Sequence, residues 1–308
     1  MKVLICDKID NAAIEKMRTN GLTVDDKAGI TPQDLLQIVG DYDVLVVRSA
    51  TKATKDVIEK GKKLNLIVRG GVGMDNIDAE AAKKANIRVE NTPEASSISV
   101  AELTIGMMFA LARKTTIADS TMKQGKWEKK KLEGTELYKK TLGLIGIGRI
   151  GFEVAKRAGA LGMSVLAYDP YLKPVPSHIA NLGVKMVSAL DEIYTQSDYI
   201  SIHTPLTPES KNMINKSSIS KMKKTAFIVN CARGGIINEQ DLAEALKTGI
   251  IAGAAIDVYE KEPITPDNPL IALGEKILLT PHLGASSIEG QGRVGDAVAE
   301  KLIAFAKK

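Results

Sequence analysis

Thr141-Leu142-Gly143-Leu144-Ile145-Gly146-Ile147-Gly148-Arg149-Ile150-Gly151 is the stretch that decides the fold. An apolar, strand-like run stops at three glycines spaced Gly-x-Gly-x-x-Gly, and residues of helical period follow. With 26 glycines in 308 residues, such a string arises by chance about 0.2 times per chain, so its neighbours carry the argument. The next apolar run, Ser164 to Tyr168, ends on Asp169. Strand, glycine turn, helix, strand and carboxylate together form a βαβ unit suited to a dinucleotide. Gly146 permits the tight turn, Gly148 lets backbone approach a pyrophosphate, and Gly151 lets the helix pack on the strand. The amides opening the helix, around Arg149 and Ile150, face the anion. Asp169 would accept hydrogen bonds from a ribose diol and repel a 2′-phosphate. Pro170-Tyr171-Leu172 supplies no arginine to relieve that repulsion, so NAD is expected over NADP.

Outward from this unit, short apolar runs alternate with helical segments twice, which predicts an α/β chain of two parallel sheets covered by helices. Before the glycine turn the expected strands are Val3 to Cys6, Val44 to Val47, Leu66 to Val68 and Ile87 to Val89, a flavodoxin-like half. Helices are expected near Ala12 to Arg18, Pro32 to Ile38, Lys55 to Gly61 and Ala79 to Lys84. A single long helix, about Ser99 to Gln124, is expected next. After it come strands at Thr141 to Ile145, Ser164 to Tyr168, Val184 to Val187, Tyr199 to Ile202, Ala226 to Val229, Ala252 to Ile256 and Ile277 to Leu279. A last helix, Ile288 to Ala306, can return to the first half. The expected domains are a flavodoxin-like substrate domain, 1–97 plus 289–308, and a Rossmann NAD-binding domain, 98–288.

Composition narrows the function classes. At 44% apolar, 26% charged and 4% aromatic the chain is an ordinary globular protein. Lys plus Arg of 42 against Asp plus Glu of 37 leaves +5, too little to imply nucleic acid. The greasiest helical stretch, Leu103 to Ala112, is half the length that spans a bilayer, so no membrane partner is expected. Two cysteines, Cys6 and Cys231, make neither a disulfide framework nor a CxxC metal site. A cytoplasmic location and no metal follow as expectations.

Three segments lie where later strands end, the edge at which open α/β sheets bind ligands. They are Asn230-Cys231-Ala232-Arg233-Gly234-Gly235, Asp257-Val258-Tyr259-Glu260-Lys261-Glu262-Pro263 and Pro281-His282-Leu283-Gly284-Ala285-Ser286. Alone, each is ordinary: an Arg is usually a surface charge, and a lone His is more often structural than catalytic. In this order they resemble the D-isomer-specific 2-hydroxyacid dehydrogenase family, from near residue 40 to 295. Val47-Arg48-Ser49-Ala50-Thr51-Lys52, Arg69-Gly70-Gly71-Val72-Gly73-Met74-Asp75-Asn76-Ile77-Asp78 and Trp127-Glu128-Lys129-Lys130-Lys131 resemble its phosphoglycerate-oxidising branch.

The resemblance implies roles. His282 would take the hydroxyl proton, Glu262 would pair with its other ring nitrogen, and the Arg233 fork would clamp the carboxylate of a 2-hydroxy acid. Asp257 would lie at the nicotinamide side of NAD, and His203, Thr204, Cys231 and Gly284 would line the cofactor crevice. Arg48 and Arg69, with amides of Gly70, Gly71, Val72 and Gly73, would hold a phosphate from the other domain. The Lys126 to Lys131 run either adds positive field near the substrate or is an exposed basic loop. Trp127 reads first as a packing anchor, and His178 as a surface residue. The long helix from Ser99 implies a homodimer. Lys129 departs from the arginine common there in the family, and the end at Lys308 implies that the regulatory modules of longer relatives are missing. Glycerate, glyoxylate or lactate remain alternative substrates, because side-chain selectivity rests on few contacts. A non-catalytic NAD-responsive protein of the same fold, like the C-terminal-binding-protein corepressors, is the alternative of another class.

Overall fold

The computed structural model describes residues 1–307. The chain forms two compact units: Met1–Ser99 with the segment from Ala285 onward, and Val100–Gly284.

The first unit is built on a five-stranded parallel sheet of β1 (Lys2–Ile5), β2 (Thr23–Asp26), β3 (Val44–Val47), β4 (Leu66–Arg69) and β5 (Arg88–Asn91), in the order β2-β1-β3-β4-β5. This is the flavodoxin-like order. Alternate residues of each strand serve opposite faces. Val3, Ile5, Val44, Val46, Leu66 and Val68 pack under helices Asn11–Thr19 and Ile288–Ala306. Leu4, Cys6, Leu45, Val47 and Ile67 pack under Pro32–Ile38, Lys55–Lys60 and Ala79–Lys84. A strand buried on both faces reads as an unbroken apolar run, which is why Val44–Val47 was legible. β2 was not expected: Thr-Val-Asp-Asp buries only Val24 and sits at the sheet edge. The last helix returns to this unit. Gly295 lets it approach closely, since a Cβ there would lie 2.9 Å from the Ala13 Cβ.

The second unit holds seven parallel strands, β6 (Thr141–Ile145), β7 (Ser164–Tyr168), β8 (Lys185–Met186), β9 (Tyr199–Ile202), β10 (Phe227–Asn230), β11 (Gly253–Ile256) and β12 (Ile277–Leu279), ordered β12-β11-β10-β9-β6-β7-β8. The chain runs outward from β6 to β8 and then returns to lay β9 beside β6. The order reverses there, and the ends of β6 and β9 flank the switch point where doubly wound sheets bind their ligand.

The single helix expected over Ser99 to Gln124 is two, Ser97–Arg113 and Thr115–Lys123, broken at Lys114 with φ 52°. The cause is nonlocal. Thr135 N donates to the Ala112 carbonyl at 2.8 Å, and Gly134 packs on that carbonyl so closely that a Cβ would lie 2.4 Å from it.

Candidate active site

At the switch point Gly146 has φ +90°, and a Cβ there would lie 2.7 Å from the His203 carbonyl, so only glycine lets the β6 turn touch the end of β9. Gly151 faces back on the Gly146 carbonyl, 2.4 Å from where its Cβ would be. Gly148 precedes helix Arg149–Ala160, and a Cβ there would meet nothing within 4 Å. The three glycines thus divide their labour: two are required by backbone contact, and the third leaves the helix N-terminus open to an anion. Asp169 follows β7, and its Oδ2 accepts from Ile147 N at 3.1 Å while Oδ1 accepts from Tyr171 N at 3.1 Å. The carboxylate therefore also fixes the glycine turn. These residues fit a dinucleotide: a cradle free of side chain over Gly148, and a carboxylate beside it.

His203 Nε2 pairs with Ser201 Oγ at 2.9 Å, and its Nδ1 is buried with no partner among the described residues. Burial pushes its pKa down to about 3, so the ring is neutral. Thr204 follows, its backbone N 3.2 Å from where a Gly146 Cβ would stand. The Cys231 thiol turns into the interior toward Met107 Sδ at 3.5 Å, and burial raises its pKa to about 12.

The three loops after β10, β11 and β12 are joined by backbone as much as by side chains. Gly234 packs on the chain at Tyr259: a Cβ would lie 1.8 Å from that carbonyl oxygen. Asn230 ties the first loop, donating from Nδ2 to the Arg233 carbonyl at 2.9 Å and accepting from Ala232 N at 3.0 Å. The Tyr259 hydroxyl donates to the Thr280 carbonyl at 2.9 Å, spanning the ends of β11 and β12. This contact brings Arg233 to the carboxylate of Glu262 as a nearby charge.

His282 Nδ1 lies 2.7 Å from Glu262 Oε2, and Glu262 Oε1 accepts from Tyr259 N at 3.0 Å. Partial burial would raise the Glu262 pKa. The hydrogen bond from His282, that from Tyr259 N–H, and the charges of His282 and Arg233 outweigh it and hold the carboxyl below its ordinary value. An ionised Glu262 is acceptor-only, so Nδ1 carries the shared proton, and in the neutral ring Nε2 is the acceptor. Both side chains are about a third exposed, open to a small molecule.

The imidazole is aimed by an unusual backbone. His282 has φ 54°, a region rarely used by residues with a side chain. Wholly buried Asp257 holds it there. Its carbonyl accepts from His282 N at 2.9 Å, Oδ1 accepts from Thr280 Oγ1 at 2.6 Å and Leu283 N at 2.7 Å, and Oδ2 accepts from Gly284 N at 2.9 Å. Sequence reasoning singled out Asp257 but missed this clamp, because only the fold shows that one carboxylate meets three donors of the next loop.

In the first unit Arg48 follows β3 and Arg69 ends β4. Arg48 Nη1 donates to the Lys8 carbonyl at 3.0 Å, and burial pulls its pKa below the ordinary value while Asp7 opposes the shift. The Arg69 guanidinium lies against Gly71, with Nη1 2.2 Å from where a Cβ would be. The expectation of four free amides from Gly70 to Gly73 is corrected. Gly70 N donates to the Val47 carbonyl at 2.8 Å and Gly71 N to Thr92 Oγ1 at 2.8 Å, because the sheet edge uses them to anchor the turn. Of the four expected amides, only those of Val72 and Gly73 have no hydrogen-bond acceptor among the described residues. Trp127, read as a packing anchor, is 78% exposed, since the short turn Lys129–Lys131 beside it buries no residue. His178 is exposed, as expected, with its ring edge-on to Phe152 at 4.9 Å.

Residues 105–284 match the model of the D-isomer specific 2-hydroxyacid dehydrogenase, NAD binding domain. The chain is 50% identical over 303 residues to a D-3-phosphoglycerate dehydrogenase of Methanocaldococcus jannaschii, covering 98% of this chain and 57% of that protein. It spans little more than half the length of such curated relatives. Among solved structures, the TT0316 protein of Thermus thermophilus superposes with TM-score 0.90 at 34% identity, covering 100% of this chain and 97% of that one. An NAD-dependent formate dehydrogenase of Staphylococcus aureus, solved with NAD, does so with TM-score 0.86 at 30% identity, covering 99% and 96%.

Proposed function

The chain belongs to the D-isomer specific 2-hydroxyacid dehydrogenase family, and from that premise we propose that it oxidises D-3-phosphoglycerate to 3-phosphohydroxypyruvate with NAD, the opening step toward serine. The observation that carries the reading is the Glu262–His282 pair at 2.7 Å with the Arg233 charge beside it, in a chain half identical to a D-3-phosphoglycerate dehydrogenase.

The cofactor is NAD, and the Gly146–Gly151 turn, the amides at Arg149 and Ile150, and Asp169 would hold it. Bound there, it would supply the acceptor for the hydride of the substrate's C2. His282 Nε2 takes the C2 hydroxyl proton as that hydride leaves, and Glu262 stabilises the imidazolium that forms. The Arg233 fork binds the substrate carboxylate and polarises the forming carbonyl; a lysine would offer neither its planar geometry nor its permanent charge. Arg48, with Arg69 and the Val72 and Gly73 amides, is assigned to the phosphate. Two arginines on one dianion are each worth about 1.5–3 kcal/mol when partly desolvated.

The protein is read as a cytoplasmic homodimer. Among the described residues no helix is long and apolar enough to cross a membrane. Phe109, Met122 and Trp127 leave large apolar side chains 40%, 52% and 78% exposed, which a second copy would cover.

Initial rates of NADH formation with D-3-phosphoglycerate, D-glycerate and D-lactate test the function. A specificity constant highest for the phosphorylated acid is expected, and Arg48→Ala should lower it about ten- to a hundredfold with little effect on D-glycerate. Equal constants for all three acids would return the substrate to the alternatives. No turnover of any would point to an NAD-responsive binding protein.

A further inference from the structure

Asp7 is a buried carboxylate, 7% exposed, that the catalytic chemistry does not use. It lies just past the end of β1, next to β3 in the sheet, and it reaches across to the turn that begins at Arg48. Oδ2 accepts from Arg48 N at 2.5 Å and from Thr51 N at 3.2 Å, and Oδ1 accepts from Thr51 Oγ1 at 2.8 Å. The other side of the same turn is gripped by Asn76, whose Nδ2 donates to the Arg48 and Thr51 carbonyls, both at 2.6 Å. The carbonyl of Lys8, the residue after Asp7, accepts from the Arg48 guanidinium itself. The turn's two end residues are thus fixed at their donors by one side chain and at their acceptors by another, while Ser49 and Ala50 between them are exposed.

A buried carboxylate is costly unless its charge is compensated and its lone pairs are filled. Here the two oxygens collect three donors from one four-residue turn, and the nearby charge is Arg48. We infer that Asp7, with Asn76, is a positioning residue for substrate selection: it fixes the Arg48 turn so that the guanidinium meets a phosphorylated substrate already oriented. The inference rests on the assignment of Arg48 to the phosphate. Preorganisation of this kind acts on binding of the phosphorylated end and leaves the hydride and proton transfers at His282 alone.

The test is a double-mutant cycle on the full chain, read as KM and kcat for D-3-phosphoglycerate and as the ratio of its specificity constant to that of D-glycerate. Asp7→Ala is expected to raise KM for D-3-phosphoglycerate roughly tenfold with kcat nearly kept, lowering the ratio by the same factor. Asp7→Asn keeps the acceptors for the two amides and should recover most of that loss, while Thr51→Val, which removes only the hydroxyl bond, should show a smaller loss of the same kind. In an Arg48→Ala background, Asp7→Ala should cost almost nothing further, because its effect passes through Arg48. If Asp7→Ala lowers kcat and both specificity constants alike, or costs tenfold again without Arg48, Asp7 is a general structural residue and the inference fails. It fails equally if Asp7→Ala melts far below the wild type and Thr51→Val leaves the substrate ratio unmoved. If wild type itself shows no preference for the phosphorylated acid, the functional reading fails instead, and that outcome is visible before any variant is made.

Discussion

The Glu262–His282 pair sets the chemistry of single residues, and its pH behaviour follows from its geometry. With the carboxylate gone, the imidazolium that forms during oxidation loses its counter-charge, so Glu262→Gln should lower kcat/KM about tenfold while the enzyme keeps turning over. An unchanged kcat/KM would break the pairing. The same bond bears on stability. The folded-state pKa of Glu262 is depressed, so its contribution is present above the ordinary carboxylate value of 4.5 and is lost as pH falls through the lower folded value. Urea unfolding of wild type and Glu262→Gln should therefore differ at pH 7 and converge in that acid window. His282, Glu262 and Arg233 were singled out because each follows a strand end and their order resembles the family's, and the fold brings the three near one another. The left-handed backbone of His282 was not legible, since nothing local demands it and the restraint comes from Asp257, 25 residues earlier in the sequence. Asp169 is a second case: its charge raised the expectation of a ribose partner, and its bond to Ile147 N appears only in the fold. A preference for NAD over NADP, as specificity constants, is expected of it, and equal constants would remove the assignment.

Elements were legible where burial on both faces forces an unbroken apolar run, as in β3 and β9, whose four residues are all buried. β2 was invisible because an edge strand needs hydrogen bonds on one side and one buried valine, and its polar residues read as a loop. The break at Lys114 was hidden for another reason. The apolar helical period continues through it, and the helix ends because Thr135 takes the Ala112 carbonyl from a distance. The loops that carry the site are set by close backbone approach, which gives a paired prediction for glycines. Gly234→Ala puts a methyl where the Tyr259 carbonyl already lies and should destabilise by about 3 kcal/mol with loss of turnover. Gly159→Ala, exposed near the end of helix Arg149–Ala160 with nothing within 4 Å, should stabilise by about 0.5–1 kcal/mol. A Gly234→Ala melt no lower than that of the wild type would contradict the contact at Gly234.

At the scale of the whole molecule, two α/β units were legible from the doubled alternation of strands and helices, and the last helix, expected to return to the first half, belongs to the first unit. What no periodicity reveals is self-association. The chain has one tryptophan, Trp127, and it is 78% exposed. A homodimer that covers it should shift its emission to shorter wavelength and protect it from acrylamide as protein concentration rises, in step with a doubled mass in light scattering. A monomer mass at every concentration would contradict the dimer.

The claim on which everything else depends is that His282 moves the proton of an NAD-linked oxidation. Stopped-flow hydride transfer in His282→Gln, with NADH binding followed by fluorescence in the same preparation, tests it most directly. Glutamine keeps a hydrogen-bonding amide but cannot take the proton. The account predicts that NADH binds with near wild-type affinity and that no NADH forms from D-3-phosphoglycerate on the wild-type timescale. Hydride transfer at the wild-type rate in that variant would contradict it.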